Sequence, residues 1–181
     1  MTARDELELG PARDARVERA GDRWTLILVR ALRHPPEKVW RALTEPEYLR
    51  EWAPFDADRS LGTAGATVRL TTVGAPQPQV TETTVARAEA PRLLEFRWGD
   101  GNLRWELEPV EGGTRLTLWA QIGRRWVALG AAGWHLCLDV LDRFLGGAPI
   151  GRIVGPDAFG VPGFQRLHRE YAAMFGVEEA N

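Results

Sequence analysis

The fold that we predict rests on the stretch GAAGWHLCLDVLDRFL, residues 130–145. On a helical wheel its apolar residues and both glycines fill one arc, made of Gly130, Gly133, Trp134, Cys137, Leu138, Val140, Leu141, Phe144 and Leu145. The opposite side carries His135, Asp139, Asp142 and Arg143. This pattern predicts a helix with one buried face. Because glycine lowers helix stability, Gly130 and Gly133 on that face indicate a closely approaching backbone or an interior void.

The residues upstream of this helix predict an antiparallel sheet. Residues 15–19 and 23–33 flank a Gly21-Asp22 turn and predict a hairpin with one long strand. Residues 56–122 alternate apolar and polar side chains between glycine turns, as half-buried strands do, and include an expected strand over residues 79–88. We expect the apolar, concave side of this curved sheet to grip the helix.

Two short helices are predicted after the first long strand, within HPPEKVWRALTEPEYLREW, residues 34–52, because prolines stand at the first turn of each. Residues 150–162 carry many glycines and prolines, and we expect them to loop over the surface. A further C-terminal helix is predicted to end at Gly176. The predicted fold class is therefore α+β. We expect a flexible arm over residues 1–14, the gripping domain over 15–146, and a loop plus extra helix on the same domain over 147–181.

Composition restricts the class of partner. The 181 residues are 44% hydrophobic and 27% charged, which suits a single globular domain with one sizeable core. A net charge of -2 lacks the excess of basic residues that binding to nucleic acid or to an anionic membrane surface usually requires. One cysteine excludes an internal disulfide, and no apolar run reaches the roughly 20 residues that span a bilayer. Because no signal core precedes the domain, we expect a cytoplasmic protein without membrane insertion.

Five stretches, in this order, resemble the helix-grip fold of the START-like or SRPBCC superfamily. They are PPEKVWRALT within residues 34–52, LGTAGATVRL (61–70), VARAEAPRLLEFRW (85–98), EGGTRLTL (111–118) and GWHLCLDVL (133–141). Within the superfamily, the chain is similar to the branch of the activator of heat-shock protein 90 ATPase. The resemblance implies a cavity between the long helix and the sheet that holds a lipid-like or aromatic small molecule.

We predict the wall of this cavity from the resemblance and from which side of each helix or strand is apolar. Eight tryptophans suit a small-molecule pocket as well as a core. The candidate ligand-binding residues are Arg30, Trp52, Phe55, Leu70, Phe96, Trp98, Trp105, Leu107, Leu118, Trp126, Gly133, Trp134 and Cys137. Arg30, Thr72 and Glu82 are in phase with apolar neighbours, so they are the polar wall candidates. Burying any of them unpaired would cost roughly 1 to 3 kcal/mol.

The sequence carries no motif for catalysis, a metal or a cofactor that we would assign. A lone mid-helix cysteine such as Cys137 is usually a small hydrophobe. His135 and Asp139 stand four residues apart, and a solvated surface pair is a commoner reading of that spacing than half a metal site. We also interpret His34 and His168 as surface histidines.

Three functional hypotheses from different classes follow. The first is a binder or carrier of a hydrophobic small molecule. The second is an enzyme of the same fold, of cyclase, dehydratase or hydrolase type, which would place two ionisable groups in the cavity. The third is a co-chaperone-like interaction module of the stress response, which would show an exposed patch in place of a deep pocket. A chaperone partner is disfavoured because nothing here resembles the co-chaperone's N-terminal domain, and homodimer formation stays open.

Overall fold

A computed structural model describes residues 2–180 of the chain. Met1 of the predicted N-terminal arm and Asn181 of the predicted C-terminal segment lie outside the described residues. The strands are β1 (Ala15–Ala20), β2 (Arg23–Leu32), β3 (Phe55–Ala57), β4 (Thr67–Thr72), β5 (Gln79–Thr84), β6 (Arg87–Glu89), β7 (Leu93–Trp98), β8 (Gly101–Val110) and β9 (Gly113–Gln121). The helices are α1 (Pro36–Thr44), α2 (Pro46–Trp52), α3 (Val127–Leu145), a 3-10 helix (Gly155–Gly160) and α4 (Phe164–Phe175).

Within residues 2–180, nine antiparallel strands form two sheets in the order β1-β2-β9-β8-β7-β6 and β3-β4-β5. The alternation predicted for the central strands is confirmed, since Leu103, Trp105 and Leu107 of β8 are buried while the residues between them are not. Trp105 lies opposite Leu118 of β9 in the strand register. The side chains of this apolar face pack against α3, which confirms the α+β class and the helix-grip architecture.

The two short helices contact each other and the C-terminal end of α3. Each begins at a proline, whose fixed φ and missing N–H suit the first helical turn. The Trp52 indole N–H donates to the Ala42 carbonyl at 3.0 Å, which fixes α2 against α1. The Lys38 ammonium donates to the Leu145 carbonyl, the last residue of α3, at 2.6 Å. This charge at the C-terminal end of α3 also complements the helix dipole.

Three expectations about the chain's course are corrected. The segment predicted as a flexible arm packs on the domain, because Leu7 and Leu9 are buried in the core. The single strand expected over residues 79–88 is divided into β5 and β6, since the chain leaves the three-stranded sheet for the six-stranded one. The segment expected to loop over the surface buries the side chains of Ile153, Ala158 and Val161. The boundary between 15–146 and 147–181 stays a prediction.

Helix α3 is buried on more than the one predicted face. Ala131, Ala132, His135 and Leu136 are all fully buried although the wheel places His135 on the polar side. The reason is α4, which packs beside α3 and brings Tyr171 against His135 at a ring centroid distance of 5.9 Å. Asp142 remains exposed and lies 3.3 Å from the His34 imidazole.

Candidate functional site

A cavity of about 390 Å³ lies at the N-terminal half of α3. Its wall comes from α3, from the ends of β7 and β9, and from the segment that leads into α4. The lining residues are Pro54, Trp98, Ile122, Trp126, Leu129, Gly130, Gly133, Trp134, Cys137, Ile153, Val154, Gly155, Ala158, Phe159 and Phe164. This volume falls in the range of about 300 to 1,000 Å³ that is usual for small-molecule pockets.

The two glycines of α3 have different reasons for being glycine. A Cβ atom built on Gly133 meets no atom within 4 Å, so the helix backbone there faces open space. A Cβ on Gly130 would lie 2.7 Å from Cδ1 of Ile122, so this glycine allows the side chain of Ile122 to approach the helix. The sequence left an interior void and a closely approaching backbone as alternatives. Gly133 faces open space, whereas the group that comes close to Gly130 is a side chain and not a backbone.

Two tryptophans, Trp98 of β7 and Trp134 of α3, form an aromatic wall where the sheet meets the helix. Trp98 and Trp134 meet edge to face, with ring centroids 5.8 Å apart. The Trp98 indole N–H donates to the Thr72 hydroxyl at 2.9 Å. Thr72, a predicted polar wall residue, therefore satisfies a tryptophan that lines the cavity.

The roof of the cavity is the segment of residues 150–160, and several contacts fix it. The Arg152 guanidinium donates to both Asp56 carboxylate oxygens, at 2.7 and 3.3 Å. Arg4 donates to the Ile150 and Arg152 carbonyls at 3.0 and 2.9 Å. A side chain on Gly155 would collide with the Gly74 backbone, so close contact with the loop between β4 and β5 requires glycine there.

Two half-exposed rings mark the mouth of the cavity, where it meets solvent. Trp126, the N-cap residue of α3, is 47% exposed, and Phe159 of the 3-10 helix is 49% exposed. Exposed large apolar side chains beside an apolar cavity typically mark a binding surface. We refer to Trp126 and Phe159 together as the mouth.

The wall is electrically neutral at physiological pH. Its lining residues include no Asp, Glu, His, Lys, Arg or Tyr. Burial raises the pKa of the Cys137 thiol from 9.0 to about 12, so this group is protonated and a poor nucleophile near pH 7. Within residues 2–180, no group of three or more His, Cys, Asp or Glu side chains is arranged to hold a metal ion.

The sequence profile of the activator of Hsp90 ATPase homolog 1-like proteins matches residues 33–146. The chain belongs to that family. The match ends directly after α3, so the AHSA1-like region supplies the helix and strand walls of the cavity. Its roof, residues 150–160, and α4 lie beyond the matched region.

Solved structures share the fold of this AHSA1-like chain. CalU16 from Micromonospora echinospora is 22% identical with a TM-score of 0.63, over 90% of this chain and 92% of CalU16. A conserved protein of unknown function from Enterococcus faecalis is 18% identical with a TM-score of 0.65, over 88% and 89%. An AHSA1-like protein from Aeromonas hydrophila is 20% identical with a TM-score of 0.56, over 68% and 93%. A comparison with curated proteins gave no match.

The structure brings five of the predicted wall residues to the cavity: Trp98, Trp126, Gly133, Trp134 and Cys137. Seven others lie in the packed core behind that wall, namely Trp52, Phe55, Leu70, Phe96, Trp105, Leu107 and Leu118. Trp105 packs edge to face against both Trp52 and Trp134, with centroids 5.9 and 5.5 Å apart. The middle of the AHSA1-like grip is therefore filled by rings, and the cavity lies toward one end.

Arg30 is buried but does not line the cavity. Its guanidinium lies 3.0 Å from Nδ1 of His135 and donates to the Tyr171 hydroxyl at 3.2 Å. The expectation that His135 is a solvated surface residue is thus wrong, although its Nε2 does lie 3.4 Å from the Asp139 carboxylate. We assign Arg30 to the contact between β2, α3 and α4.

Two further expectations for polar residues are corrected. Glu82 is exposed on β5 and points away from the interior, because its neighbour Thr83 takes the buried position. His168 is buried, since it shares the core-facing side of α4 with Phe164, Tyr171 and Phe175. That burial lowers the pKa of its imidazole.

Sequence reasoning missed the roof. Ile153, Val154, Ala158, Phe159 and Phe164 lie in or beside a stretch rich in glycine and proline, which resembles an ordinary surface loop. The available signal was the recurrence of large apolar residues, Ile153, Val154 and Phe159, among the glycines and prolines of that stretch. Within the described chain, no helix is both long and apolar enough to cross a membrane.

Proposed function

We propose that the protein binds a hydrophobic or aromatic small molecule in the cavity beside α3. The observation that carries this proposal is the open space at Gly133, where an apolar cavity that opens to solvent reaches the helix backbone. Natural cores are packed to a density that leaves few voids larger than a water molecule. An apolar volume of about 390 Å³ with an open mouth is therefore better suited to a guest than to packing alone.

The energetics favour an apolar guest. Each Å² of apolar surface removed from water contributes roughly 25 cal/mol, and a guest would also supply the dispersion contacts that the lining residues lack. Water gains little in the same space, because the Trp98 N–H is already bound to Thr72 and the remaining lining side chains are mostly hydrocarbon.

The enzyme hypothesis calls for an acid and a base that face the substrate. Cys137 is the one side chain among the lining residues that can titrate, and its pKa is about 12. The Arg30, His135 and Tyr171 cluster lies apart from this wall. These observations favour a binder or carrier over an acid/base catalyst at this cavity.

Binding can be tested with the neutral dye N-phenyl-1-naphthylamine, whose fluorescence rises in apolar surroundings. We expect saturable binding to the wild-type chain and its loss in Gly133→Phe, because the added ring occupies the open space. Ala173→Phe is the matched control, since it adds the same ring to an exposed position of α4. Circular dichroism checks that each variant is folded.

Equal dye binding by wild type and Gly133→Phe would contradict the proposal. Native mass spectrometry of protein purified from its own host gives an independent readout, in which a defined additional mass supports a bound small molecule. A wild-type chain that carries no extra mass and binds no dye would favour the interaction-module hypothesis, with the mouth as the exposed patch.

A further inference from the structure

One arginine side chain, Arg125, lies against a ring of the mouth, although it is not among the residues that line the cavity. Arg125 precedes Trp126, and its guanidinium carbon lies 5.0 Å from the centroid of the Trp126 ring. Arg124 is also exposed, but its guanidinium carbon lies 6.0 Å from the Trp24 ring. Arg125 is therefore the cation held against a ring that lines the mouth.

Neither guanidinium is neutralised by a direct partner. No carboxylate lies within 4.0 Å of Arg124 or Arg125 in the part of the chain that the structure describes. Both arginines line a surface groove next to the cavity, and Glu178 and Glu179 line the same groove without forming an ion pair with either of them. The first turn of α3 contains no acidic residue, so its N-terminal dipole adds to the positive potential at the mouth.

The contrast between wall and mouth restricts the chemistry of a guest. A charged group inside the wall would lose its hydration without gaining a partner, which is strongly unfavourable. The same group at the mouth stays near water and meets the unpaired Arg125. We propose that the ligand is an amphiphilic organic anion, an inference that rests on the proposed function. Its neutral ring or chain lies inside the cavity, and its anionic group lies beside Arg125.

Two dyes that share one ring system test this assignment. 1-Anilinonaphthalene-8-sulfonate carries an anionic group that the neutral N-phenyl-1-naphthylamine lacks. We expect Arg125→Gln to lower the affinity for the sulfonate dye about two- to fivefold, as for loss of a partly exposed ion pair. Arg125→Glu should lower that affinity further. Binding of the neutral dye should not change. Added salt should weaken the anionic dye alone in the wild type.

Arg124→Gln is the matched control, because it removes a neighbouring charge whose guanidinium faces Trp24 instead of the mouth. The inference is overturned if the Arg125 variants bind the anionic dye with wild-type affinity. It is also overturned if Arg124→Gln lowers the affinity for that dye as much as Arg125→Gln does. Binding of the neutral dye in either case leaves the proposed function intact. If neither dye binds the wild type, both the proposed function and this inference fail.

Discussion

The guanidinium of Arg30 and the imidazole of His135 lie 3.0 Å apart in the interior, although 105 residues separate them in the sequence. The Tyr171 hydroxyl lies 2.8 Å from the same ring nitrogen. Because arginine can only donate, Nδ1 of His135 accepts from Arg30. Its Nε2 lies 3.4 Å from the Asp139 carboxylate and has no hydrogen-bond partner in the described chain. One polar cluster thus connects β2, α3 and α4, and it fixes the helix that follows the cavity roof.

Removing the Tyr171 hydroxyl should destabilise the protein. In Tyr171→Phe the buried Arg30 loses one acceptor, and we expect the free energy of unfolding to fall by about 1 to 3 kcal/mol. Urea denaturation followed by tryptophan fluorescence measures this change.

Tyr48→Phe is the matched control for that change. The Tyr48 hydroxyl accepts from Arg41 in an exposed contact, so its loss should cost less than about 0.5 kcal/mol. Equal losses in the two variants would show that the buried cluster contributes nothing special to stability.

The buried thiol should make the protein sensitive to alkali. The pKa of Cys137 is raised from 9.0 to about 12, so its contribution to stability is complete below pH 9 and is lost as pH rises toward 12. Between these values wild type should lose about 1.4 kcal/mol per pH unit relative to Cys137→Ala. Denaturation curves of both proteins at several pH values measure the difference, and parallel pH profiles would refute the prediction.

The open space at Gly133 should accept a methyl group without strain. Gly133→Ala is expected to raise the free energy of unfolding by about 0.5 to 1 kcal/mol, through the higher helix propensity of alanine. Gly130→Ala is the control, because its Cβ would force the Ile122 side chain to move. Thermal denaturation compares the two, and a larger gain at Gly130 would contradict the assigned roles.

The Arg152 to Asp56 ion pair should hold the roof closed. The pair is bidentate, and its side chains are less exposed than those of a typical surface pair, so Arg152→Gln should cost about 1 kcal/mol and increase protease cleavage within residues 147–163. Arg115→Gln breaks the exposed pair with Glu108 and should leave cleavage unchanged. Limited proteolysis with mass spectrometry locates the cuts, and equal cleavage patterns would exclude this role.

Much of the fold was predictable because it depends on local chemistry. The alternation around Leu103, Trp105 and Leu107 places their side chains on one face of a strand, and the structure has them buried on that face. The prolines at 36 and 46 likewise begin the two predicted helices. The interior position of His135 was not predictable in this way, because its partners belong to β2 and α4.

Local sequence patterns were enough to predict the gripping sheet, the long helix and the arc on which Gly133, Trp134 and Cys137 lie. Periodicity encodes which side of an element is apolar, and that information is local. Those patterns did not predict which rings pack against one another or where volume remains empty. That outcome depends on contacts across the chain, such as those that hold Ile153 and Phe159 over α3, and no local pattern records them.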